Sequence, residues 1–360
     1  MTSPYSNLPS EAFWRSAVTD RAALDPGNLF SPRFPVTRAM KVVTAGSCFA
    51  QHVGRTLRQA GFNVQDAEPA PGQVSDAVAN QYGYRLYSAR YGNIYTVRQL
   101  VQLLDEAEGV SAPALPVWEK DGRFHDAQRP GVEPDGLDDA ALVAAHRARH
   151  LTAVRDVFYS ADLFVFTLGL TEAWVHTQTG TVYPTAPGTI AGSFDPAQFS
   201  FKNYGFREIF ADFAAFRKRM MERNPKMKFL ITVSPVPLTA TASGNHVEVA
   251  TCYSKSVLRA VCGSLYEQFR NVDYFPSYEI ITSTNNRGVY FEPNKRSVSA
   301  QGVDKAMSLF LMAQGAAPGA AEVPRRTGAG AGPRVKRGKS SAEADADVVC
   351  EEALLDAFGR

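Results

Sequence analysis

The stretch Met40-Lys41-Val42-Val43-Thr44-Ala45-Gly46-Ser47-Cys48-Phe49-Ala50 sets the reading of the fold. Its first half is a short apolar run with β-branched residues, which reads as a buried strand. Gly46-Ser47 breaks the run, and an amphipathic helix follows from about Phe49 to Ala60. Gly61 ends that helix, and Phe62-Asn63-Val64 reads as the next strand. Further along, Leu163-Phe164-Val165-Phe166-Thr167-Leu168, Phe229-Leu230-Ile231-Thr232-Val233 and Val272-Asp273-Tyr274-Phe275 are runs of the same buried type. Helical segments over 138–158, 206–223 and 247–269 separate them. Near-continuous apolar strands alternating with helices predict an α/β protein: a doubly wound parallel sheet with helices on both faces. Sheets of this kind take their ligands at the carboxyl ends of the strands.

Two regions depart from the alternation. Residues 67–137 are rich in Pro, Gly and Tyr and read as an irregular insertion over the sheet edge. After Phe310-Leu311-Met312 the composition turns to Ala, Gly and Pro, too poor in apolar surface to offset chain ordering. The expected organisation is a main domain over 1–313, a disordered linker over 314–345 and a short C-terminal helix over 346–360. Charge reverses along the tail: residues 321–340 hold six Lys/Arg against one acid, and 341–360 hold six acids against one Arg. Helical spacing places Val349, Leu354, Leu355 and Phe358 near one face. Such a segment is a frayed helix, or it docks on a protein partner or back on the domain.

Composition bounds the function classes. A chain of 360 residues with 45% hydrophobic content can bury a full core. A net charge of +2 calls for neither nucleic acid nor an anionic membrane. The start, MTSPYSNLPSEAFWRSAV, lacks the basic residues and apolar run of a secretory signal, and the cytoplasm is the expected location. Cys48, Cys252, Cys262 and Cys350 show no CxxC pair, so reduced thiols are expected, with neither a disulfide framework nor a zinc site. No motif asks for a metal or a cofactor.

Several residues could carry chemistry. A serine between a strand and the first turn of a helix sits at the positive end of the helix dipole, beside N–H groups suited to an oxyanion. Ser is equally a preferred helix N-cap, and Ser47 satisfies either description. Cys48 next to it reads as a small buried hydrophobe. A serine nucleophile needs a base. Of the six histidines, His52 faces away from Ser47, and His146 and His150 share a charged helix with Arg147 and Arg149 that reads as solvated. His125 lies in the insertion, and His176 follows the strand 163–168 at some distance. His246 follows the strand 229–233 and a Pro-rich loop, at a carboxyl edge and just before a helix, and is the preferred base. Its orienting acid stays open among Glu172, Glu248 and Glu279. Lys255 reads first as a solvated helix lysine and second as an anion binder or a direct activator of Ser47, as in Ser-Lys systems.

The wider string carries a resemblance. Ala45-Gly46-Ser47-Cys48-Phe49-Ala50, Gly92-Asn93-Ile94-Tyr95-Thr96, Thr167-Leu168-Gly169-Leu170-Thr171-Glu172-Ala173-Trp174 and Ser234-Pro235-Val236-Pro237-Leu238-Thr239 resemble motifs of the GSCFA family. Tyr253-Ser254-Lys255-Ser256-Val257-Leu258-Arg259 and Tyr274-Phe275-Pro276-Ser277-Tyr278-Glu279 continue the likeness in the same order. That family is similar to the SGNH/GDSL hydrolases, which implies a three-layer α/β/α sandwich. The resemblance also implies Ser47 as nucleophile, with Gly92, Asn93, Gly169 and Thr171 at the oxyanion site and Glu172 in the place of a site acid. One departure is large: Asn294 and Ser297 stand where SGNH enzymes have the Asp and His of their dyad. The expected function is a serine esterase or O-acyltransferase acting through an acyl-serine on an ester of a polar substrate, a carbohydrate being suggested by Tyr82, Tyr84, Tyr87, Tyr91 and Tyr95. The alternative is a catalytically degenerate binding or scaffold protein on the same fold.

Overall fold

A computed structural model describes residues 3–316 and 350–359. The linker expected over 314–345 lies largely outside the described residues. Strand β1 (Val42–Gly46) leads into helix α1 (Phe49–Gln59); α2 (Asp76–Gln81), α3 (Val97–Ala107) and the hairpin β2 (Val117–Lys120)–β3 (Arg123–Asp126) follow. Next come α4 (Ala140–Ser160), β4 (Leu163–Leu168), β5 (Glu172–His176), β6 (Val182–Tyr183) and β7 (Phe199–Asn203). The chain continues through α5 (Phe206–Arg223), β8 (Lys228–Val233), α6 (Val247–Gln268), β9 (Val272–Tyr274), α7 (Ser277–Thr282) and α8 (Ala300–Ala313).

The central sheet is parallel, ordered β1-β4-β8-β9, with Val42 opposite Leu163, Phe164 opposite Phe229, and Phe229 opposite Val272. Side chains alternate across it. Val43, Ala45, Phe164, Phe166, Leu168, Phe229, Ile231 and Val233 join one core with α3–α6. Val42, Leu163, Val165 and Leu230 join a second core with α1, α7 and α8. The sheet is therefore covered on both faces, as the apolar strands require. Each fully buried Phe or Leu in it contributes on the order of 1.5–3 kcal/mol.

Phe62-Asn63-Val64 makes only a single parallel bridge, Val42 to Val64, on the free edge of β1. The chain leaves the edge almost at once, the Ala67 N–H going to Ser88 O. Even so, the chain first steps to one side of β1 and later returns on the other as β4. The strand order reverses between β1 and β4, which makes their carboxyl ends the switch point of the sheet.

Residues 67–137 are more ordered than their composition suggests. Leu100, Val101 and Leu104 of α3 are buried in the main core with Tyr87 and Tyr91. The tyrosines that read as loop material are fillers between α3 and the sheet. A small antiparallel sheet, β6-β5-β7, leaves the end of β4 and packs Tyr183 and Phe199 with Trp118. Helix α4 is not solvated as its charges suggested: Arg147 is buried and His150 fully so. Glu106 and Asp126 from the 67–137 region pair with Arg147, and Glu68 takes a hydrogen bond from His150. Among the described residues no helix is long and apolar enough to cross a membrane.

The C-terminal segment forms 3-10 turns over Glu351–Phe358. Leu354 is 50% and Phe358 71% exposed, whereas Glu351 and Glu352 are buried.

Candidate active site

The end of β1 needs a glycine. Gly46 has φ +133°, and a Cβ there would lie 2.4 Å from Thr167 O. The chain then turns into α1, leaving Ser47 at the switch point. Its N–H donates to Thr167 O at 3.1 Å, so this group is spent on the sheet and is not the oxyanion donor expected from sequence. The hydroxyl is buried without a hydrogen-bond partner. A buried, unpartnered hydroxyl costs on the order of 1–3 kcal/mol, which a merely capping serine would avoid.

The Gly92–Tyr95 turn is stitched between the two strand ends. Ile94 N–H donates to Gly46 O at 2.9 Å, while Gly169 and Leu170 N–H both reach Tyr95 O, at 3.2 and 3.0 Å. Gln99 holds the turn from α3, bonding Asn93 O and Tyr95 N at 3.0 Å each. Asn93 is aimed. Its Oδ1 accepts from the Tyr87 hydroxyl and from Gln51 Nε2, the latter at 3.3 Å, so its NH2 group must point the other way. Tyr87 also reaches Ser47 O at 3.2 Å. Gly169 closes the floor: a Cβ on it would stand 2.7 Å from Ser47 Cβ and 3.3 Å from Oγ.

Lys255 comes from α6 and is 1% exposed, against the first sequence reading of a solvated lysine. The helix turns this side chain inward beside Ser254, whose Oγ accepts the Thr171 N–H at 3.2 Å. Lys255 Nζ donates to Gly169 O at 2.7 Å. Burial pulls its ammonium down to about 8, Glu352 opposing the shift. Thr171 is fully buried, and its hydroxyl has no partner.

The structure thus groups Ser47, Asn93, Gly169 and Lys255, with Gly92 and Thr171 alongside. It does not bring His246 to Ser47. His246 is exposed at the N-terminus of α6, where its Nδ1 accepts the Glu248 N–H at 3.2 Å. Glu172 accepts from the Thr241 hydroxyl at 2.8 Å and lines a cavity of about 210 Å³ with Leu170, Trp174 and Leu238. Its carboxyl is raised by burial. Glu248 is exposed, and Glu279 is engaged by Arg259 and Tyr274. His176 bonds Thr179 on the small sheet. His52 lines a cavity of about 150 Å³ with Cys48, Arg296 and Cys350, its ring held down to about 4 by burial and by Arg55. Asn294 and Ser297 bond each other at 3.0 Å in a turn.

Sequence reasoning missed Gln51, Tyr95 as a donor, Arg296 and the two acids by which the tail docks. Gln51 lies four residues beyond Ser47, one helical turn, which is a signal that could have found it. Arg296 and the tail belong together. Glu351 Oε2 accepts from the Asn93 amide and from the Tyr95 hydroxyl, the latter at 2.9 Å. Glu352 Oε2 accepts from Arg296 at 3.3 Å, and its carboxyl is pushed up to about 8 by burial and by the Cys350 sulfur. The Cys350 thiol sits against Cys48 and 3.7 Å from the Arg296 guanidinium; the Cys48 contact, then the cation, lower its pKa.

A central parallel sheet between helices, with a buried serine at its switch point, an aimed amide and a buried lysine, defines the class of α/β protein this is. The GSCFA family matches residues 41–310, and the chain belongs to that family. Every site residue named above lies within the match except those of the tail. Neither curated proteins nor solved structures give a match.

Proposed function

We propose that this protein is a serine esterase or O-acyltransferase of SGNH-like descent, working through an acyl-Ser47 intermediate. The observation that carries the reading is the Ser47 hydroxyl, buried and unpartnered against Gly169, whose carbonyl holds the Lys255 ammonium at 2.7 Å. Lys255, its proton affinity lowered by burial, is held on the carbonyl of the same glycine that Ser47 packs against, and it acts as base by turning from that carbonyl to the Ser47 hydroxyl.

In the first half-reaction the Ser47 oxygen attacks the ester carbonyl carbon, and its proton passes to neutral Lys255. The oxyanion that forms accepts from Asn93 Nδ2, with the free Thr171 hydroxyl as a second donor. Collapse breaks the carbonyl–alkoxy bond, and the leaving alcohol takes the proton from Lys255. Water or an acceptor hydroxyl then repeats the sequence in reverse, regenerating Ser47. Lys255 is favoured over His246 as base because it is already inside the site. Glu172 and Trp174 in the adjoining cavity give a polar and an aromatic wall suited to a polar, sugar-like moiety.

The alternative is a binding protein on a degenerate fold, favoured by the mutual hydrogen bond of Asn294 and Ser297, which supply no dyad. A fluorophosphonate probe separates the two. Labelling of the wild-type chain is expected to vanish in Ser47→Ala, to slow by about 10²–10⁴-fold in Lys255→Met and to persist in His246→Ala. A folded wild-type protein that takes no label supports the binding reading. Loss in His246→Ala with retention in Lys255→Met returns the base to His246.

A further inference from the structure

The site is filled by the chain's own tail. Glu351 places one carboxylate oxygen on Asn93 and Tyr95, and its other oxygen rests 3.6 Å from where a Gly92 Cβ would be and 3.1 Å from one on Gly131. A side chain at Gly131 would crowd this carboxyl group, while one at Gly92 would only touch it. Glu352, the next residue, meets the Arg296 guanidinium, whose carboxylate and thiol partners both come from the tail. The two acids are 5% and 9% exposed. Acidic side chains are rarely buried without partners made for them. Within Glu351–Phe358, Leu354 and Phe358 stay exposed while the acids go in.

The chemistry of the two positions differs. Asn93 and Tyr95 are neutral donors, and a carboxylate on them occupies the place of the acid released by ester hydrolysis. Arg296 is a fixed cation, and a carboxylate on it stands for a charged substituent. We propose that the cleft recognises acyl compounds bearing a second carboxylate, read by Arg296, and that Glu351-Glu352 occupies it in the manner of a product. The substrate assignment rests on the acyl-serine reading, whereas the carboxylate site itself stands without it. The carboxylates could belong to a small dicarboxylic acid or to glutamates of a peptide.

Cys48 and Cys350 provide a proximity reporter in the full chain. Diamide removes one proton and one electron from each thiol, is itself reduced to the hydrazine, and leaves a Cys48–Cys350 disulfide, scored by peptide mapping without reductant. This pair is expected to form ahead of any pair with Cys252 or Cys262. Above pH 8, where Glu352 is ionised, Glu351→Gln with Glu352→Gln, and separately Arg296→Gln, should slow it by about tenfold, the cost of a charge-assisted hydrogen bond. Added glutarate or acetyl-Glu-Glu-amide should slow it in the wild-type chain, and uncharged glutaramide should not. Competition by glutarate assigns small dicarboxylates; competition by the peptide alone assigns a peptide ligand. Cross-linking that is indifferent to the acids, or glutaramide competing as well as glutarate, overturns the proposal. Because none of these readouts uses Ser47 reactivity, a chain that takes no fluorophosphonate yet passes them loses the esterase reading and keeps the carboxylate site.

Discussion

At the scale of single residues, the candidate chemistry turns on one close approach and one buried amine. Gly169 leaves no room for a methyl group: a Cβ would fall 2.7 Å from Ser47 Cβ. Gly169→Ala is expected to displace the serine, slow probe labelling and cost about 1–3 kcal/mol of stability, as overpacking does, measured by urea unfolding. Lys255 sets the pH response. With its folded pKa pulled down to about 8 from 10.5, the neutral amine becomes abundant only as pH rises through 8. Labelling should rise over that range, and the rise should be missing in Lys255→Met. The sign for stability is the same. Between pH 8 and 10.5 the unfolded chain binds the proton that the folded chain has lost, so stability climbs across this window. The position of Ser47 is legible in sequence because a strand ending in a glycine turn puts it there, whereas Asn93 and Gly169 are named only through the family resemblance. The placement of Lys255 is not legible, because whether a helical lysine is buried depends on which face tertiary packing covers.

At the scale of elements, the strands were legible and the charged helix was not. Apolar runs of strand length, set between helical periods, admit little but a parallel sheet. On helix α4, Arg149 is exposed and His146 half-buried, as a charged face suggests, but Arg147 and His150 are covered by carboxylates from residues 67–137. His150 is fully buried with Nδ1 2.7 Å from Glu68, its pKa pulled down to about 3 by burial and by Arg129. Glu68 sits low, at about 2, because the His150 bond and Arg129 outweigh the effect of burial. Both groups act in one direction. The neutral histidine is held in the fold but takes a proton in the unfolded chain below its ordinary 6.5, and Glu68 does likewise below 4.5. Stability should therefore be full above pH 6.5 and fall steadily as the medium is acidified. His150→Gln keeps an N–H donor but cannot titrate. Urea unfolding across a pH series should show a lower plateau at neutral pH and a shallower loss between 6.5 and 4.5. An unchanged slope would place the acid sensitivity elsewhere.

At the scale of the whole molecule, a segment from beyond residue 310, where the family match ends, closes a site built entirely within it. Helical periodicity puts Val349, Leu354, Leu355 and Phe358 near one face without saying what it would meet; the polar contacts are made by Cys350, Glu351 and Glu352, because the donors in the cleft are polar. Pattern in the tail alone could not reveal this, since the partner surface is assembled from α1, the Gly92–Tyr95 turn and the loop before α8. The docked tail has two linked consequences. It binds only the folded domain, so it adds to stability, and its Glu351 takes the Asn93 amide proposed for the oxyanion, so it slows a reaction that uses that donor. Replacing Glu351 and Glu352 by Ala should accordingly lower the unfolding temperature by about 2–8 °C, from the few kcal/mol that charge-assisted bonds contribute. The same variant should label faster with a fluorophosphonate, by about tenfold. The opposed signs are diagnostic. A substitution that merely damages the fold lowers both quantities together, and that result would make the tail a structural part of the site rather than its occupant.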